Sequence, residues 1–212
     1  MLRHIASQFS KRALAVDMAT CSALGAVGDI ICQLAIENRK LLTPSQWHWR
    51  RRGEPAETEV FDPRRFATIT AFSTLYNGVM LHFVLQMYPF GAFALGRLMS
   101  PGNIRTGLLT EESMVHAHAC GWLDNLHCGT FYIPAYFYFV GRGQGDSDDE
   151  VRDNLLNEYG ASYRAVTAFW VPFMTANYTF VPARNRLQAF AVGNLAWCVI
   201  IDHVAHRGAA EG

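Results

Sequence analysis

Between residues 66 and 96 the chain runs for 31 residues without a single Asp, Glu, Lys or Arg. A helix crossing a bilayer needs about 20 consecutive, mostly apolar residues. This stretch is long enough, and it carries Phe66, Ile69, Phe72, Leu75, Val79, Leu81, Phe83, Val84 and Leu85. At roughly −0.5 kcal/mol for each large apolar residue, it inserts comfortably. A soluble helical core would normally keep one polar face along such a length. Charged residues make up 17% of the chain against 50% hydrophobic ones, below the quarter or so usual for soluble domains. Eighteen basic and eighteen acidic residues cancel, so no overall field draws in nucleic acid, and none is expected as a partner.

Four or five apolar segments alternate with polar connectors: about 13–36, 66–90, 114–141, 165–182 and 186–205. Their length and their Ala, Leu and Met content favour helices over strands. The reading is an all-α, polytopic transmembrane bundle with the lipid bilayer as its main partner. One membrane domain covers 13–207, with a short tail at 208–212. The connector 37–65 contains Arg50, Arg51 and Arg52, and 142–158 is acidic. The first segment is the least secure, because Asp17 and Asp29 would each cost about 3 kcal/mol at a span centre. Asp17 lies near the end of the segment; Asp29 needs a partner or a proton.

Residues 1–12 are basic and free of acids, which fits either an import signal or the flank of a first membrane helix. Cys21, Cys32, Cys120, Cys128 and Cys198 form no CxxC pair and read as reduced core residues. His116 and His118 cannot share a helix face. Asp124 with His127, and His203 with His206, have i,i+3 spacing. A closed zinc site needs four ligands and no HExxH occurs, so neither a metal nor a cofactor is assigned from the sequence.

Two motifs are more specific. Gly28 to Gln33 has the form GDxxxQ at the end of the first segment. Asn177-Tyr178-Thr179-Phe180-Val181-Pro182 is followed by Arg186 and then Trp197. Together these resemble the Mpv/PMP family, which comprises the twenty-two-kilodalton peroxisomal membrane protein and mitochondrial inner-membrane relatives. Asp62 with Arg65, Gly78 with His82, Asp124-Asn125 and Trp170 fit the family pattern more loosely. Departures include Val79 for the usual Pro and Cys120 for a Lys, so the chain resembles a divergent member. The resemblance implies four spans, at about 13–36, 66–90, 114–141 and 186–205, with 165–182 as an interfacial or re-entrant helix. It also implies a non-enzymatic protein of the mitochondrial inner membrane or, alternatively, the peroxisomal membrane.

The functional reading is a channel for small solutes or ions that contributes to mitochondrial metabolite homeostasis. Asp29, Gln33, His82, Asp124 and Asn125 are the candidate pore or polar-core residues. Intramembrane acids of this kind are functional candidates by default, although each could equally be a packing group. Gly28, Asp62, Arg65, Gly78, Trp170, Asn177, Val181, Pro182, Arg186 and Trp197 are the structural motif residues. Asp62, Arg64 and Arg65 are expected at the membrane boundary, with the arginines snorkelling outward. A non-conducting assembly subunit, working in a homo-oligomer or a larger membrane complex, is the second reading. A His/Asp metal-dependent enzyme is the third.

Overall fold

The structure is a computed structural model describing residues 11–41, 60–99 and 114–197. The start of the basic flank, most of the first connector, Cys198, the 198–205 end of the last segment and the tail lie outside the described residues. So do Asp202, His203 and His206. Within the described residues the elements are helical, apart from an isolated bridge between Lys40 and Val60.

Helix α1 (Lys11–Ile31) continues through a π-helical turn, Cys32–Ile36. Helix α2 (Pro63–Phe72) starts at an N-cap built from sequence. The Asp62 side chain accepts from the backbone N–H groups of Arg64 and Arg65, and Pro63 opens the helix. Both are preferred there, because the first N–H groups of a helix lack intrahelical partners. A π-helical stretch, Ser73–Met80, joins α2 to α3 (Leu81–Met99). Helix α4 (Met114–His127) passes through a third π-helical turn, Cys128–Tyr132, into α5 (Ile133–Gln144). Gly145 closes α5 at φ 108°, a left-handed backbone that glycine adopts without a Cβ clash.

Helix α6 runs unbroken from Asp148 to Phe180, 33 residues, or about 50 Å at 1.5 Å per residue. The acidic stretch expected as a connector is therefore largely helix. A capping box explains its start: Ser147 accepts from the Glu150 N–H, while the Glu150 side chain accepts from the Ser147 N–H. Asp148, Asp149 and Glu150 also suit the positive end of the helix dipole. The segment 165–182, expected as an interfacial or re-entrant helix, is no separate element. Through Phe180 it is the second half of α6, and the chain turns only at Val181 and Pro182. A short 3-10 turn, Ala183–Asn185, then leads into α7, described over 186–197.

The helices pack as antiparallel neighbours. Helix α4 has its most extensive contact with α6, and α1 lies along α2 and the π-helical stretch that follows it. Gly78 permits the second approach, since a Cβ there would stand 2.8 Å from the Met18 backbone. Among the described residues, two helical runs are long and apolar enough to cross a membrane: Lys11–Ile36 and Pro63–Leu95. Large apolar side chains such as Met87, Leu126, Phe131 and Phe180 are exposed, whereas Asp29, Gln33, Asp124 and Asn125 are buried. Trp170, stacked on Phe190 at 4.7 Å, anchors an aromatic core that also contains Trp197.

Candidate functional site

The GDxxxQ motif meets the cap of α2. Gln33 Nε2 donates to Asp29 Oδ2 at 2.7 Å, one turn away, and to the Asp62 carbonyl at 3.2 Å. The Asp62 N–H donates to Gln33 Oε1 at 2.6 Å. Arg65 Nε pairs with Asp29 Oδ1 at 3.0 Å, and its Nη1 pairs with Glu37. Thus Arg65 does not snorkel to lipid; it turns inward, because two carboxylates at the end of α1 face it. Arg64 likewise turns to the protein and donates to the Gly143 carbonyl at 2.6 Å. Both charges of the Asp29–Arg65 pair are therefore answered inside the fold, as the cost of burying a charge requires.

This pair borders a cavity of about 250 Å³ walled by α1, α2, α5, α6, α7 and the π-helical turns. Gly25, Asp29 and Cys32 come from the first run, while Ser162 and Asn194 face them from α6 and α7. The rest of the lining is mostly apolar and aromatic, including Phe72, Tyr132, Tyr136 and Trp197. A fixed ion pair in a mostly apolar chamber can orient one polar end of a small solute against the aromatic walls.

Among the five candidate polar residues, only Asp29 lines this chamber. Gln33 belongs to the hydrogen-bonded junction with the α2 cap beside it. His82 lies elsewhere: its Nδ1 meets Asp17 Oδ2 at 2.6 Å, and Gln188 Nε2 donates to Asp17 Oδ1 at 2.7 Å. Asp17, His82 and Gln188 thus bridge α1, α3 and α7. Asn125 is satisfied by α6, donating to the Tyr163 hydroxyl at 2.9 Å and accepting from Thr167 at 3.0 Å. Asp124 is fully buried one residue earlier, beside Cys128 and the Tyr88 hydroxyl.

The C-terminal motif shapes the turn out of α6. The Val181 N–H donates to the Asn177 carbonyl, and Asn177 Nδ2 donates to the Arg186 carbonyl at 3.1 Å. Arg186 donates to the Val181 carbonyl at 3.3 Å, and its guanidinium lies 4.5 Å from the centre of the Tyr178 ring. Pro182 accepts from the Asn185 N–H. Gly28 is buried on the inner face of α1.

Sequence reasoning missed Asp17, Gln188, Tyr76 and Tyr88 as members of polar clusters. Asp17 stands near a helix end, where an acid looks harmless. The tyrosines carried no signal, since their shared partner His127 reaches them only when α4 meets α3 and the π-helical stretch before it.

Residues 142–201 match the model of the Mpv17 / PMP22 family. Over 101 residues the chain is 23% identical to Protein SYM1 of Eremothecium gossypii, an alignment covering 48% of this chain and 56% of that relative. The chain thus spans about half the length of the curated relative it matches. No solved structure matches the chain. The family match holds Trp170, Asn177, Val181, Pro182, Arg186 and Trp197, the residues that build the aromatic core and the turn after α6. Over residues 142–201 the chain is similar to the Mpv17 / PMP22 family, with the departures of a divergent relative.

Proposed function

We propose that the protein is a channel of an organelle membrane, with the Asp29-lined chamber as part of its solute path. The observation carrying this reading is the chamber itself: an ion pair and several polar groups gathered between helices that carry exposed apolar side chains. Four membrane crossings fit the reading, with α6 alongside them. The size of the chamber suits small solutes or ions, in keeping with metabolite homeostasis. The mitochondrial inner membrane is the proposed location, with the peroxisomal membrane as the alternative. Asn125 and His82 act here as packing groups between helices, and Asp29 with Arg65 supplies the polar surface of the path.

Conductance of the purified chain in planar bilayers tests the reading. Discrete openings are expected, with ion selectivity shifted by Asp29→Asn and current blocked by Ser162→Trp, which fills the chamber from α6. Silence from folded, inserted protein would overturn the channel. The assembly-subunit reading would then take its place, because the paired burial of polar groups also suits a rigid scaffold.

A further inference from the structure

The geometry points to a divalent metal site formed by Asp124, His127 and Cys128 on the inner face of α4 and the π-helical turn after it. One ligand atom from each of these residues lies within 4.8 Å of the others. Cys128 Sγ stands 3.8 Å from Asp124 Oδ2. Adjacent ligands around a tetrahedral zinc ion are separated by about 3.3–3.7 Å, given its bond lengths of about 2.0–2.3 Å. Small side-chain rotations would therefore close the triad around an ion. The site is distinct from the chamber, so it stands or falls independently of conduction.

A second observation concerns the charge on Asp124. Its side chain is fully buried, and its Oδ1 meets no donor. By contrast, Asp29 has Arg65, and Asp17 has His82 and Gln188. No Lys or Arg pairs with Asp124 among the described residues. A buried carboxylate so placed is neutralised by a proton or by a bound cation, and the groups beside it, an imidazole and a thiol, are metal-ligating types.

The surroundings are those of a ligand set. His127 Nε2 meets the Tyr76 hydroxyl at 3.0 Å, which fixes the ring as outer partners of metal-bound histidines do. His127 Nδ1 meets the Tyr88 hydroxyl at 2.8 Å, and that hydroxyl also faces Asp124. Tyr88 thereby sits between the imidazole and the carboxylate, and an ion bound at Nδ1 would take the place of its hydroxyl there. One carboxylate oxygen, one imidazole nitrogen and one thiolate suit Zn²⁺ or Co²⁺ and disfavour Mg²⁺ or Ca²⁺. Binding converts the Cys128 thiol to a metal-bound thiolate and releases its proton to solvent, with no change of oxidation state.

Titration of the full-length protein in detergent with Co²⁺ alone tests the site. One ion per chain is expected, with thiolate-to-cobalt absorption in the near ultraviolet. Cys128→Ser should abolish that absorption, and Asp124→Asn should weaken binding by at least about tenfold. Cys32→Ser, in the chamber wall, should leave both unchanged. Failure of the folded wild type to bind, or a thiolate band that persists in folded Cys128→Ser, would overturn the site. If the variants do not fold, X-ray absorption of the Zn²⁺-loaded wild type decides. One sulfur beside lighter donors supports the triad, and a shell without sulfur refutes it.

Discussion

Asp29 illustrates how an acid is kept inside an apolar bundle. Its two oxygens are shared between Gln33 and Arg65, and Gln33 in turn holds both backbone polar groups of Asp62. Arg65→Ala removes the only charge compensation the carboxylate has among the described residues. A loss of about 3–5 kcal/mol is expected, because breaking one side of a buried pair strands the other. Adding Asp29→Asn should recover much of it, as denaturation in mixed micelles would show. Equal stability of Arg65→Ala and wild type would mean that the pair contributes nothing. The contact between Asp29 and Gln33 was legible in the sequence, since i,i+4 residues share a helix face. Arg65 as the partner was not, because its direction depends on Glu37 and Asp29 converging from another helix. His82 was singled out as an intramembrane histidine, but its partner Asp17 was discounted by its position near a helix end.

At the scale of the element, α3 contains Pro89, which lacks the N–H that would bond to the Leu85 carbonyl. The Tyr178 hydroxyl from α6 fills that place at 2.6 Å. Tyr178→Phe should therefore cost about 1–3 kcal/mol, the penalty for an unsatisfied buried acceptor. In a Pro89→Ala background, with the backbone donor restored, the same change should cost less. Identical costs in both backgrounds, measured in one double-mutant cycle, would rule out this compensation. The start of α6 gives a second expectation. Ser147→Ala should destabilise by about 1 kcal/mol through loss of the N-cap, read by unfolding. The bonds from Ser147 hold the Glu150 carboxyl below its ordinary value. This depressed group stabilises the cap fully above the ordinary carboxylate range. Its contribution is lost as pH falls through the lowered value. Amide exchange over 148–151 should accordingly quicken in acid, and a pH-independent profile would contradict the cap. The capping box was readable as Ser-x-x-Glu before an apolar run, yet the acidic composition masked it. No such local signal marks the π-helical turns or the tyrosine partners of His127, which depend on how whole helices meet.

Across the described residues, many large apolar side chains face outward, while acids and amides are enclosed within an apolar and aromatic core. Leu126 and Phe131 are 61% and 62% exposed, while Asp124 and Gln33 are 0% exposed. That inversion suits a hydrocarbon solvent, in which apolar surface costs nothing and polar groups must find one another. The protein should remain with membranes after alkaline carbonate extraction and be released by detergent. Release by carbonate alone would contradict an integral position. The resemblance in the two end motifs made this architecture readable in outline. The length of α6 and the position of the chamber were not readable, since both depend on long-range packing.

The three π-helical stretches have a mechanical consequence. Each places a residue in the chamber wall: Cys32 from the first, Ser73 from the second and Tyr132 from the third. A π-helical turn departs from the regular ladder of the α-helix and often marks a functional position. These helices are thus least regular where they surround empty space. The bore of the chamber is therefore set by irregular turns rather than by straight helix, and restoring α-geometry at any of them would rotate a wall residue out of register.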